Sequence, residues 1–372
     1  MATVAPAPAA TSTLVFARVP HPAPVPGATR AEALADPGFG KLFSDHMVSI
    51  EWSVDAGWSD AVVGPLQPLA LHPAAAVLHY AQEIFEGLKA YRLADGAMAL
   101  FRPHANAARF NASARRLAMP ELPEELFVQA CRELVAVDKD WFPDIDGGSL
   151  YLRPFMIATE AFLGVRPAKS YKFLVIASPA GNYFKSGAPA VSIWVSQYTR
   201  AAPGGTGAAK CGGNYAASLV PQAEAMAKGH DQVVFLDAAE HKWIEELGGM
   251  NLYFVFDDGT LVTPPLGGTI LPGITRASLM TLAREAGLTV REEKYSIDQW
   301  RADAASGKLV ETFACGTAAV VTAVGRVTDP VDGEFVIGSG GPGQLTQKLR
   351  QRLVSIQRGE APDTHGWVMR LD

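Results

Sequence analysis

The chain has 372 residues, enough for about two ordinary domains, and its 48% hydrophobic and 19% charged side chains place it with globular rather than disordered proteins. A formal net charge of −6 argues against a nucleic-acid or anionic-membrane partner but leaves room for a local site that takes one phosphate. Cys131, Cys211 and Cys315 are an odd number without C-x-x-C spacing, so neither a disulfide framework nor a metal site is expected; a reducing compartment, the cytoplasm, is.

In chain order, the first 30 residues are rich in Ala and Pro, carry Arg18 and Arg30 as their only charges, and lack the apolar run of a secretory signal. They read as a flexible arm, which we extend to residue 46, and no later stretch approaches the ~18 apolar residues that span a bilayer. A first domain is expected over 47–179. Met47, Val48, Ile50, Trp52 and Val54 suggest a strand, and Leu69–His72 a second one after a Gly/Pro-rich stretch. Ile84–Tyr91 and Ala97–Phe101 flank Asp95-Gly96, a hairpin signal. Phe110, Ala114 and Leu117 recur at helical spacing within Asn106–Leu117, the same period continues over Glu124–Val137, and strand patterns return at Ser149–Ile157 and Lys172–Ala177.

Breakers concentrate over Pro179–Pro189, so residues 180–190 are expected to link the first domain to a second one over 191–372. There Val191–Ser196 and Gln232–Leu236 suggest strands, and Leu252–Phe256 with Leu261–Thr263 a hairpin around Asp257-Asp258-Gly259. Ala216–Lys228, Arg276–Ala286 and Gln344–Gln357 have helical periodicity, and no internal repeat is visible. The mixture gives an α+β / α/β class.

Chemistry concentrates in Gly204–Tyr215, where glycines surround one amine, Lys210, with Tyr215 five residues on. Bare backbone around a lysine suits a Schiff base with a bulky ring aldehyde. A nucleotide P-loop would need Gly before the lysine and Ser or Thr after it, where this chain has Ala209 and Cys211. Gly338–Gly343 satisfies G-x-G-x-x-G, but too little sequence follows it for the strand–helix–strand unit of a dinucleotide site.

Covalently held pyridoxal phosphate would need three further groups: an anion site for the phosphate, an acid for the ring nitrogen and a donor for the ring oxygen. Pro272–Thr275 stands before a helix start, Gly316-Thr317-Ala318 is a second small-residue turn, and Arg109 lies on a helix where its guanidinium could join an anion site. Glu245 and Glu246 precede the glycine turn Gly248-Gly249, and one of these carboxylates is expected to face inward.

Seven segments carry a resemblance: Phe85-Glu86-Gly87-Leu88-Lys89-Ala90-Tyr91, Phe101-Arg102-Pro103 with Asn106 and Arg109, Tyr151-Leu152-Arg153-Pro154, Lys210 with Gly212-Gly213-Asn214-Tyr215, Glu246–Asn251, Leu271–Arg276, and Gly316–Ala319. Together, and in order from about residue 47 to 367, they resemble the branched-chain aminotransferases, two-domain fold type IV pyridoxal-phosphate enzymes. The resemblance implies an active site at the domain interface and a ping-pong exchange between leucine, isoleucine or valine and 2-oxoglutarate. It implies Lys210 as covalent lysine and general acid/base, Tyr215 on the ring oxygen, Glu246 on the ring nitrogen, and Arg109, Ile274, Thr275 and Thr317 on the phosphate.

Substrate would meet Phe85, Tyr151, Arg153 and Tyr183, with its α-carboxylate near Thr317 and Ala318. Tyr80, Leu163 and Val165 would reach in from the other subunit of a homodimer with shared active sites. Two positions depart from the family pattern: Gly249 stands where a Thr is common, and Ala319 and Thr322 occupy the positions of the redox-active C-x-x-C of vertebrate members.

Overall fold

The computed structural model describes residues 14–181 and 190–371. The chain divides into two compact units, residues up to 87 with 110–181, and 88–109 with those after 181. The first half runs β1 (Ala17–Arg18), α1 (Gly27–Leu34), β2 (His46–Ser53), β3 (Gly57–Pro65), α2 (Ala76–Tyr80), β4 (Glu83–Phe85), β5 (Leu88–Arg92) and β6 (Met98–Phe101). It continues with α3 (Pro103–Arg116), α4 (Glu124–Val137), β7 (Ser149–Ala158) and β8 (Ser170–Ala180).

The first unit is built on the sheet β1-β3-β2-β8-β7, with β4 also pairing β7. Along β8, Phe173 and Val175 alternate with Lys172 and Leu174, and α4 covers the face that Phe173 presents. Phe110, Phe127 and Phe173 meet there with ring centroids 5.4 to 5.9 Å apart, all fully buried.

Two expectations are corrected here. Leu69–His72 forms no strand, because Pro68 and Pro73 bracket it and withhold ladder donors; the second strand is β3, whose Trp58, Val62 and Val63 pair it to β2. The expected arm is also not free throughout. From Ala17 it pairs in parallel with β3, and the Val25 amide donates to buried Asp45 at 3.0 Å.

After the link, the chain forms β9 (Val191–Val195), α5 (Gly212–Ala216), α6 (Leu219–Ala227), β10 (Gln232–Leu236), β11 (Ile244–Leu247), β12 (Asn251–Phe256) and β13 (Thr260–Thr263). Then come α7 (Ile274–Glu285), β14 (Thr289–Glu292), α8 (Ile297–Ser306), β15 (Leu309–Gly316), β16 (Val320–Asp329), β17 (Gly333–Val336), α9 (Gln344–Gln357) and β18 (Val368–Arg370). The second unit's main sheet has the order β11-β10-β9-β16-β15-β12-β13-β14, with β17 on β16.

Both faces of this sheet are covered. On β12, Leu252 and Phe254 enter one core with Trp300 of α8, while Tyr253 and Val255 enter the other with Leu279 of α7 and Leu353 of α9. That is why β12 reads as an unbroken apolar run. The β5–β6 hairpin belongs to this unit because β6 pairs with β18, near the end of the chain, and Tyr91 and Phe101 join the core of α7 and α9. A boundary drawn along the sequence misses this excursion.

Candidate active site

The glycine-rich loop before α5 is held by two polar side chains. Asn214 donates to the carbonyls of Thr206 and Ala209 at 2.7 Å each and accepts from the Thr206 hydroxyl at 2.7 Å. Gly207 lets the loop lie against the Thr269 backbone, since a Cβ there would stand 2.5 Å from the Thr269 oxygen. The loop presents Lys210, whose Nζ donates to the Tyr215 hydroxyl at 2.7 Å.

Glu246 lies on β11 and is 3% exposed. Its carboxylate accepts from the Leu271 amide and stands 3.6 Å from the Arg200 guanidinium, which also donates to the Thr269 carbonyl. Burial pushes the Glu246 carboxyl up to about 7, against the opposing pull of Arg200, the Leu271 amide and Lys210. Its neighbour Glu245 is buried as well, on the opposite side of the strand, where it accepts from the Thr269 hydroxyl at 2.6 Å. Both carboxylates therefore point inward, although one was expected to. A concavity lined by Arg200, Ala209, Asn214, Tyr215, Glu246 and Leu271 joins these groups.

The anion side is built from the next loop. Asn251, at the start of β12, donates to the Leu271 carbonyl at 3.1 Å, and a Cβ on Gly273 would fall 2.0 Å from its Oδ1, so only glycine fits before α7. The first-turn amides of α7, those of Ile274 and Thr275 among them, lack acceptors within the helix. Arg109 is buried and donates to the Pro272 carbonyl at 3.1 Å, which sets a guanidinium beside that helix end. The glycines at 338–343 lead to a helix start that is already filled: Glu311 accepts from the amides of Leu345 and Thr346 and from the Thr346 hydroxyl at 2.7 to 2.9 Å, so the anion there is the chain's own carboxylate.

Thr317 and Ala318 occupy the turn between β15 and β16. The pairing of Asn251 with Cys315 sets this turn beside the Gly248-Gly249 turn, and a Cβ on Gly316 would stand 3.3 Å from Met250. A Cβ on Gly249 would meet the Tyr215 ring at an ordinary 3.5 Å, so no crowding dictates the glycine found there. The second unit thus gathers Lys210, Tyr215, Glu246, Arg109, Ile274, Thr275, Thr317 and Ala318 around linked turns at one end of its sheet. Arg200, Thr269 and Asn251 tie the turns together and were missed by sequence reading; polar residues next to glycine turns are the signal that points to Thr206, Asn214 and Asn251.

Within the first unit, the Arg153 guanidinium donates to the Tyr151 hydroxyl at 3.2 Å and lies 4.8 Å over the Phe85 ring. Gly87 makes this possible, because a Cβ there would meet the Tyr151 hydroxyl at 1.9 Å. Tyr80, at the end of α2, is exposed, as are Leu163 and, at 88%, Val165, which lie on a loop braced by a two-pronged Arg166–Glu160 pair and by the Tyr80 hydroxyl donating to the Leu163 carbonyl. Tyr183 lies outside the described residues.

A lysine amine, a carboxylate held out of water and a helix end with a guanidinium fit the aldehyde, ring nitrogen and phosphate of pyridoxal phosphate. Residues 83–327 match the family described as amino-transferase class IV. The chain is 59% identical over 94% of its length, and 96% of the relative's, to a branched-chain-amino-acid aminotransferase of Mycolicibacterium smegmatis. It is also similar to the crystal structure of an Escherichia coli branched-chain amino acid aminotransferase, with a TM-score of 0.74 and 29% identity, covering 88% of this chain and 99% of that one. The crystal structure of a T.th. branched-chain amino acid aminotransferase with pyridoxamine 5'-phosphate gives a TM-score of 0.71 at 28% identity, covering 87% and 99%. The chain belongs to the class IV aminotransferase family.

Proposed function

We infer that the chain is a pyridoxal-5'-phosphate-dependent transaminase that moves an amino group between leucine, isoleucine or valine and 2-oxoglutarate, yielding the branched 2-keto acid and glutamate. The observation that carries this reading is the near-full-length match at 59% identity to a branched-chain aminotransferase, in a chain whose Tyr215 and Glu246 line one concavity and whose Lys210 amine donates to that tyrosine. When bound, the cofactor supplies an electron sink for the pair released at the substrate Cα.

The residues divide the remaining work. Lys210 would be the covalent anchor, and its freed Nζ would take the proton from the substrate Cα and deliver it to the cofactor carbon that began as the aldehyde, not back to Cα. Tyr215, already 2.7 Å from Nζ, steadies the ring oxygen. The Glu246 carboxylate holds the proton on the ring nitrogen, a charge-assisted hydrogen bond strengthened by exclusion of water. Arg109 and the α7 amides of Ile274 and Thr275, with Thr317, bind the phosphate. Phe85, Tyr151, Arg153 and Tyr183 meet the substrate, and Thr317 and Ala318 its α-carboxylate.

The active form is a homodimer with shared sites, in which Tyr80, Leu163 and Val165 serve the partner's pocket. The braced, apolar and exposed loop supports this, since a monomer gains nothing from holding Val165 in water. Three buried cysteines in no disulfide suit the cytoplasm, and among the described residues no helix is long and apolar enough to cross a membrane.

Purified protein incubated with leucine and 2-oxoglutarate should produce glutamate and 4-methyl-2-oxopentanoate in equal amounts, with parallel double-reciprocal lines. Turnover of D-leucine alone, or pyruvate release from aminodeoxychorismate, would assign it to another member of the class.

A further inference from the structure

Lys89 has no part in the chemistry described so far. It lies on β5, is 6% exposed, and donates from Nζ to the Ala318 carbonyl at 2.9 Å, its one hydrogen-bond partner among the described residues. No carboxylate pairs with it among those residues, and the nearby charges of Arg350 and Arg358 join its burial in disfavouring the ammonium. A lysine kept in such a place is there for the atom it holds, because burying a cation for stability alone is unfavourable. That atom belongs to the Thr317–Ala318 turn. Two residues on, Val320 has φ +63°, a left-handed conformation that a β-branched residue adopts only when its surroundings enforce it.

We propose that Lys89 is a positioning residue for the substrate α-carboxylate: its buried ammonium clamps the Ala318 carbonyl and so holds the turn amides in the orientation that receives the carboxylate. The proposal rests on the reading of Thr317–Ala318 as the α-carboxylate site. Because every amino acid and keto acid that the enzyme takes carries that carboxylate, losing the clamp weakens both half-reactions alike and leaves the reacting groups at Lys210 and Glu246 in place.

The test uses the holoenzyme and 4-methylvaleric acid, which is leucine without its amine and can bind but not react. Calorimetric titration of Lys89→Met, which fills the same volume without donor or charge, should raise the dissociation constant about tenfold, the loss expected for one charged hydrogen bond. Lys89→Arg, which keeps donor and charge, should restore it. The KM values for leucine and 2-oxoglutarate should rise together while kcat stays within about twofold, the pattern of a lost binding interaction. Unchanged affinity in Lys89→Met, with or without a lower melting temperature, would reduce Lys89 to a structural lysine and overturn the proposal. Ala318→Pro separates the two readings: if removing that amide leaves 4-methylvaleric acid binding intact, the turn is not the carboxylate site. If it weakens binding while Lys89→Met does not, the turn stands and the clamp falls.

Discussion

Replacing Glu246 with Gln should stabilise the cofactor-free protein at alkaline pH. Burial raises the Glu246 carboxyl from 4.5 to about 7, so the folded chain prefers it protonated. The sign follows from linkage: this contribution to stability is fully present below about pH 4.5 and is lost as pH rises through about 7. The whole loss is about 3 kcal/mol, most of which falls between pH 5 and pH 8. Gln at this position has nothing to titrate. Relative to the wild type, Glu246→Gln should therefore gain roughly 5 to 10 °C in melting temperature at pH 8 over its position at pH 5, for a cooperative unit of this size. Calorimetric melts of both cofactor-free proteins at the two pH values give the double difference directly, cancelling any packing change. With cofactor bound the gain should shrink, because the ring nitrogen supplies the missing partner, and turnover by the Gln protein should collapse. A double difference near zero would mean that Arg200 and the Leu271 amide already keep the carboxylate ionised, and the account of this residue would fail.

Other consequences are as direct. Gly273→Ala should push Asn251 off the Leu271 carbonyl and loosen the loop that carries the Glu246 partner and the start of α7, raising the cofactor dissociation constant at least about tenfold in an absorbance titration; unchanged affinity would exclude the loop from the anion site. Diamide should leave activity intact, since Cys131, Cys211 and Cys315 are buried and in no disulfide, burial raises the Cys131 thiol and pushes Cys315 up to about 12, and no pair is vicinal or of C-x-x-C spacing; inactivation reversed by dithiothreitol would contradict this. Mixing inactive Lys210→Ala chains with inactive chains altered at Tyr80 and Leu163 should recover roughly a quarter of wild-type activity, because half of the dimers then hold one intact site. No recovery, with subunit exchange confirmed by mass, would place each pocket within a single chain.

Local chemistry was legible where it depends on local sequence. Lys210 and Tyr215 stand five residues apart in one loop, and the structure puts their polar atoms 2.7 Å apart. The α4 helix runs over Glu124–Val137 and α9 over Gln344–Gln357 as their periodicities suggest, since an amphipathic stripe is a one-dimensional signal. What escaped was non-local. The central strands β15 and β16 are paired on both sides and broken by Glu311, Thr312 and Arg326, so no alternation marks them. Residues 88–109 join the second unit through a strand that lies 267 residues further on from Phe101, at Val368. Arg200 and Lys89 hold backbone carbonyls distant in sequence, at Thr269 and Ala318, and a lysine or arginine gives no sign along the chain of which carbonyl it reaches.

The whole site turns on one amine. Reducing the holoenzyme with borohydride fixes the cofactor wherever it is attached, and peptide mapping by mass then reads the residue. The adduct should lie on Lys210, in the peptide that contains Cys211 and Tyr215, and Lys210→Ala should lose both the adduct and essentially all turnover. An adduct on Lys89 or Lys228 instead would contradict the site as a whole.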